Sequence, residues 1–212
     1  GTAHIFEDLT GHGISEGSLL KASEELSECV RPSTDAVEEL LMNADVLNAD
    51  ETGLRLHRLH VASTDGLTHY SVHEKRGKEA TDAAGILQDF TGTAVHDHRK
   101  PYFRYKNCRH ALCNAHHLRE LNFMERQYGQ VWACDMADLL LEIKEAVEKL
   151  KPDRDGFGPE QIRAFERRYD EILRRGFADN PFAPPEEKKR GRAKKPPPLD
   201  LLIRLRKKRP LP

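Results

Sequence analysis

Apolar residues recur along this chain with two different periods, and the change from one to the other divides it. The first forty-odd residues read as helices. Residues 2–9 form a short helical stretch closed by Gly11-His12-Gly13, and Ser15 is placed to cap a second helix, with Ile14 positioned against Leu19 as a hydrophobic staple. That helix is expected to run to about Val30 and stop near Pro32, with a third over Thr34–Asn43. Helix, glycine turn, helix invites a DNA-binding reading. Eleven Asp or Glu between Gly1 and Asp50, against Lys21 and Arg31 alone, favour a packing role instead.

The period shortens at Asp45. Val46–Asp50, Leu59–Ser63 and Leu67–Val72 read as strands, the last two joined around Asp65-Gly66, a strong hairpin signal. A helix fits Lys78–Gln88, a fourth strand Thr93–Asp97, a helical turn Pro101–Tyr105 and a fifth strand His110–Cys113. Three strands with a hairpin, a helix, then two more strands is the order of a ribonuclease H-like sheet.

From His116 the period lengthens again. Trp132, Met136, Leu139, Ile143, Val147 and Leu150 make one apolar stripe, and Ile162, Phe165, Tyr169, Ile172 and Leu173 another. With a turn over Pro152–Gly158, the two helices should pack as an antiparallel hairpin. Pro181–Pro198 is Pro-rich and basic, and Leu199–Arg209 begins a further helix.

Composition adds little until it is located. Net charge is −1, yet eleven Lys or Arg and one acid, Asp200, fall between Lys188 and Arg209. Such a basic segment is either a solvated linker end or a polyanion contact, with Lys188, Lys189, Arg190, Arg192, Lys194 and Lys195 as the DNA-binding candidates. Four cysteines make no disulfide framework, which points to a reducing, cytoplasmic setting. No apolar run reaches the ~20 residues of a membrane span, and no secretory leader is expected. A first residue Gly1 and a final Arg-Pro-Leu-Pro read as the ends of a fragment.

Asp50 and Asp97 stand at the ends of two strands that this order makes neighbours. Paired carboxylates there suit Mg²⁺ or Mn²⁺ and phosphodiester chemistry, although Asp at a strand end is often only a turn residue. Glu51, next to Asp50, should face the other side of the sheet. Glu120 is helical and follows the fifth strand, either a third acid or a partner of Arg119 or Arg126. Cys108, His110, Cys113, His116 and His117 offer zinc-type ligands, but strand alternation separates them, and Cys113 reads as a core residue.

Literal strings sharpen this. Ala49-Asp50-Glu51-Thr52-Gly53, His60–Thr64, Lys75–Ala80, Val95-His96-Asp97, Pro101–Tyr105 and Leu112-Cys113-Asn114-Ala115-His116-His117-Leu118-Arg119-Glu120-Leu121 occur in that order. Together they closely resemble transposases of the insertion-sequence sixty-six family, over essentially the whole chain. The resemblance implies a DDE enzyme in which Asp50 and Asp97 are the first two acids, binding Mg²⁺ or Mn²⁺ and acting on DNA, both transposon ends and target. The family's third acid, a Glu in a segment with paired asparagines, has no counterpart string here. His98 and Arg99 stand where the family usually has Gly and an aromatic, and the stretch from Gly53 to His60 is shorter than is typical.

The expectation is therefore an α/β, ribonuclease H-like mixed sheet with an N-terminal helical segment and an α-helical insertion. Its parts are a helical segment (1–44), a partial catalytic core (45–115), a helical-hairpin insertion (116–180), a basic linker (181–198) and the start of a truncated helix (199–212). The activity expected is metal-dependent DNA cleavage and strand transfer, absent from these residues alone for want of the third acid. A non-catalytic remnant that binds DNA or self-associates as a homo-oligomer, and a stand-alone nuclease of the same fold, are the rivals.

Overall fold

The computed structural model describes residues 1–75, 77–150, 156–181 and 195–207. They divide into two compact units, one of Gly1–Val95 with Arg99–His110 and one of His96–His98 with Ala111–Pro212. The class is mixed α/β, with eight α-helices among the described residues and one five-stranded sheet.

In the first unit, α1 (Thr2–Thr10) ends at Gly11, whose positive φ of 72° lets its N–H reach back to the Glu7 carbonyl. Ser15 caps α2 (Glu16–Met42), its hydroxyl accepting from the Ser18 N–H at 3.0 Å. This helix continues through Pro32 instead of ending there. Proline removes one N–H from the ladder, and here the surrounding turn is exposed, so water can take the freed carbonyl. The packing role expected of these helices is also confined to one end. Leu41 is the one buried residue of α2, while Leu20, Leu26, Val30 and Leu40 stay exposed.

The sheet has the order β3-β2-β1-β4-β5, from β1 (Val46–Gly53), β2 (Arg58–Ser63), β3 (Thr68–His73), β4 (Thr93–His96) and β5 (Arg109–Leu112). β1, β2 and β3 are antiparallel neighbours, and the hairpin at Thr64–Leu67 closes with a backbone bond of 2.9 Å. β4 runs parallel to β1, in the register Val46↔Thr93, Leu47↔Ala94 and Asn48↔Val95. Gly92 sets that register: a Cβ there would meet the Ala44 and Asp45 carbonyl oxygens at 2.5 and 2.6 Å. The single helix expected over 78–88 is two, α3 (Lys78–Ala83) and α4 (Ile86–Asp89), broken where Gly85 takes φ 76°. Alternation along β1 turns Leu47 and Ala49 onto one face, where Leu41, Ile86, Leu87, Phe90 and Tyr102 cover them.

The second unit is helical: α5 (Asn114–Tyr128), α6 (Val131–Leu150), α7 (Pro159–Asp179) and α8 (Pro197–Lys207). Gly129, with φ 60°, separates α5 from α6. Trp132, Met136 and Leu139 from one predicted stripe meet Phe165, Tyr169, Ile172 and Leu173 from the other in a single core. The first stripe fades toward its end, where Val147 is exposed. Leu201, Leu202 and Leu205 of α8 are completely buried in this core, and Tyr169 donates to the Leu205 carbonyl at 3.1 Å. The last helix is thus a structural part of the unit.

Candidate functional site

Strand alternation decides where the two predicted acids stand. Asp50 lies on the face of β1 opposite Leu47 and Ala49, exposed, with its Oδ1 accepting from the Glu51 N–H at 2.8 Å. Asp97 is the residue after β4, half-buried, and the buried His96 donates from Nδ1 to the Asp97 carbonyl at 2.5 Å. The last paired position of the parallel register is Asn48↔Val95, and each Asp follows its paired residue by two positions along the chain.

Glu51 turns to the other face, as alternation requires, and its side chain is 5% exposed. It sits opposite His60 across β1 and β2, and Arg99 donates from Nη1 to its Oε1 at 2.9 Å. His60 is buried, which is the main reason its pKa falls below the ordinary imidazole range; Glu51 opposes that shift. The cavity lined by Asp50, His60, His69, Ser71, Thr81 and Tyr102 measures ≈ 20 Å³, enough for one water and far too small for an organic substrate.

In the second unit His98 and His117 meet at 2.8 Å between their Nε2 atoms, so one ring donates and the other accepts. The His117 Nδ1 lies 3.4 Å from the Asn114 Oδ1, an arrangement that suits a proton on Nδ1 and a hydrogen bond accepted from His98 at Nε2. His117 is 1% exposed. Burial, helped by the neighbouring charges of His98, Arg204 and His116, lowers its pKa from 6.5 to about 4. Its neutral form is therefore the folded one. The stability this confers is complete above pH 6.5 and is lost as pH falls from there toward 4, a loss of about 3 kcal/mol. Urea unfolding at pH 7 and pH 4.5 should show it, and His117→Gln should flatten the difference; an equal pH dependence in both proteins would refute the assignment.

Glu120 finds its cation in neither Arg119 nor Arg126. Arg204 of α8 grips both its oxygens, at 3.1 and 2.9 Å. Two of the zinc-type residues are occupied otherwise: His110 donates to the Tyr105 carbonyl at 2.7 Å, and burial pushes the Cys108 thiol up, keeping it protonated. Among the described residues no group of three or more His, Cys, Asp or Glu could hold a metal ion. Asp50 and Asp97 are each hard oxygen donors, of the kind that Mg²⁺ or Mn²⁺ takes.

Of the basic candidates, Lys195 is half-buried just before α8. Lys188, Lys189, Arg190, Arg192 and Lys194 lie outside the described residues. Two other cations of the basic segment serve the fold: Arg204 holds Glu120 and Asp200, and Arg206 lies 4.6 Å from the Phe177 ring centre. No helix among the described residues is long and apolar enough to cross a membrane.

The pairings Arg99–Glu51 and His98–His117 escape a reading of the sequence. Their one visible signal is that positions 98 and 99 depart from the pattern around them.

Neither the curated proteins nor the solved structures contained a match to this chain. A family model does match it, that of the transposase IS66 family, over residues 1–204 of 212. The collinear strings around Asp50, Asp97 and His117 fall within that span, and the chain belongs to the transposase IS66 family.

Proposed function

We propose that this chain is the greater part of a DDE-type catalytic core with a ribonuclease H-like sheet, acting on transposon ends and target DNA. The observation that carries the reading is the parallel register of β1 and β4, whose last pair, Asn48↔Val95, is followed two residues later on each side by Asp50 and Asp97. The sheet order, with an antiparallel trio beside a parallel strand, supports the fold assignment. Asp50 and Asp97 are the metal-binding carboxylates. A divalent ion bound there supplies activation of an attacking hydroxyl and stabilisation of the leaving oxygen. Asp50 and Asp97 would be the residues that hold the ion, together with the third acid that the resemblance implies.

Isothermal titration of the chain with Mn²⁺ should give weak binding that Asp97→Ala weakens at least about tenfold, with no strand transfer by the chain alone. Binding indifferent to Asp50 and Asp97 would remove the assignment. Robust metal-dependent DNA cleavage would mean that another acid of this chain completes the site. A remnant that binds DNA without cutting it is the second reading, favoured by the lack among the described residues of any group of three or more ligands that could hold a metal ion. Strand transfer restored by a longer chain carrying the third acid decides between the two.

A further inference from the structure

We propose that the tip of the β1–β2 hairpin is a DNA wedge: Leu56 enters an opened base step while Arg55 and Arg58 hold the flanking phosphates. This use of the tip rests on the reading that the chain acts on DNA, not on the metal site. The turn itself is unusual. Leu54-Arg55-Leu56-His57 joins two strands without a glycine, proline, asparagine or aspartate, the residues that tight turns ordinarily recruit. Two leucines stand there instead, and neither is covered: Leu56 is 81% exposed and Leu54 45%. Local turn chemistry given up for uncovered apolar side chains, with no packing gained in return, marks a surface kept for a partner.

The hairpin holds this tip in place. β1 and β2 stay in register as far as Gly53↔Arg58, and beyond that pair the Leu54 N–H donates to the His57 carbonyl at 2.9 Å. Arg55 and Leu56 are thus the two residues at the turn. Arg58 reaches back across the strand pair. A Cβ added at Gly53 would stand 2.7 Å from its Nη1, so the absent side chain makes room for the guanidinium. Arg55 is exposed and Arg58 half-buried, and neither forms an ion pair with an acid of the described residues. All of these residues belong to the first unit.

Two cations without a counter-charge, beside two uncovered leucines, suit a partner that is polyanionic and also offers apolar surface. Duplex DNA opened at one base step is such a partner. Its phosphates pair with the guanidinium groups, and its base faces receive the leucine. Leucine inserted between base pairs unstacks them and kinks the duplex, as apolar wedges on architectural proteins do.

The probe is a short duplex with a central nick and 2-aminopurine beside it, where unstacking costs least. That base brightens when it leaves the stack, so binding of the full chain should raise its fluorescence. Leu56→Ala should bind with nearly unchanged affinity, because phosphate contacts supply most of it, yet without the rise. Leu56→Met should restore the rise. Arg55→Gln combined with Arg58→Gln should flatten the log–log slope of affinity against salt by about 2. Arg55→Gln alone, which leaves Arg58 over Gly53, should flatten it by about 1. Circular dichroism checks that each variant is folded, and Arg55→Gln alone decides the phosphate contact should the double variant unfold.

A fluorescence rise in Leu56→Ala equal to that of the unaltered chain would overturn the wedge, as would a salt slope unchanged by Arg55→Gln. DNA binding without a rise in any of the proteins would also overturn it, and leave the DNA reading standing. Absence of DNA binding altogether would overturn both. A lipid surface and a second copy of this chain are the rival occupants. Binding to phosphatidylglycerol vesicles that Leu56→Ala abolishes, or a dimer that it dissociates, with the DNA signal unaltered, would give the tip to one of them and overturn the proposal.

Discussion

Replacing Lys188, Lys189, Arg190, Arg192, Lys194 and Lys195 together by glutamine is expected to remove most of the chain's affinity for random duplex DNA. Those six positive charges fall within eight residues, among prolines and a glycine. A dense run of cations with no side chain suited to reading a base edge besides the arginines favours contact with phosphates, so the binding should be indifferent to sequence. Each phosphate that a cation neutralises releases counterions and adds about −0.9 to the log–log slope of affinity against salt. Neutralising all six cations would flatten the slope by about 5 and lower affinity by about a thousandfold at low salt. The acidic first fifty residues should contribute nothing or oppose binding.

Deleting the basic segment together with everything after it would be the wrong comparison. Leu199, Leu201, Leu202 and Leu205 are core residues of the second unit, and a chain ending at Asn180 would lose them along with the charges. Neutral substitutions leave α8 in place. Salt titrations of the two full-length proteins should differ in slope as well as in affinity. Equal slopes and affinities would make the segment a linker. A preference for one DNA sequence would return attention to α1 and α2, whose apolar residues the fold leaves largely uncovered.

The second large effect concerns stability. Trp132→Ala should destabilise the helical unit by about 3–5 kcal/mol, the usual cost of emptying a large aromatic site in a core. Trp132 is 2% exposed and packs within a core drawn from α5, α6, α7 and α8. Its indole lies against the backbone of α7 at Gly176, where an added Cβ would come within 3.0 Å of the ring. The indole N–H donates to the Gln130 Oε1 at 2.6 Å, and that same oxygen accepts from Asn180 at 2.6 Å. Truncation would therefore open a cavity and leave Gln130 short of one donor. Because Trp132 is the only tryptophan, fluorescence vanishes with it, and urea unfolding must be followed by circular dichroism. A loss below about 1 kcal/mol would mean that the helices close around the gap.

Much of this architecture was legible in the residues themselves. The stripe Trp132–Met136–Leu139 and its counterpart Phe165–Tyr169–Ile172–Leu173 state which faces of two helices must be covered, because period and burial are local consequences of helix geometry. Ser15 as a cap, the turn at Asp65-Gly66 and the alternation that separates Asp50 from Glu51 depend only on neighbours along the chain. The order of the strings around Asp50, Asp97 and His117 was enough to indicate the family.

Other features were decided by what lies nearby in space. Proline at 32 signals a helix end, yet α2 passes through it because that turn faces water. Basic residues late in the chain suggest a polyanion contact, yet Arg204 is spent on Glu120, eighty-four positions away. The same holds for Arg99, which local sequence marks only as an oddity and the fold pairs with Glu51, forty-eight positions earlier. Periodicity says that a face will be buried or that a charge will need a partner. Which partner it finds depends on chain crossings that bring distant residues within a hydrogen bond's length, and only the tertiary structure contains that information.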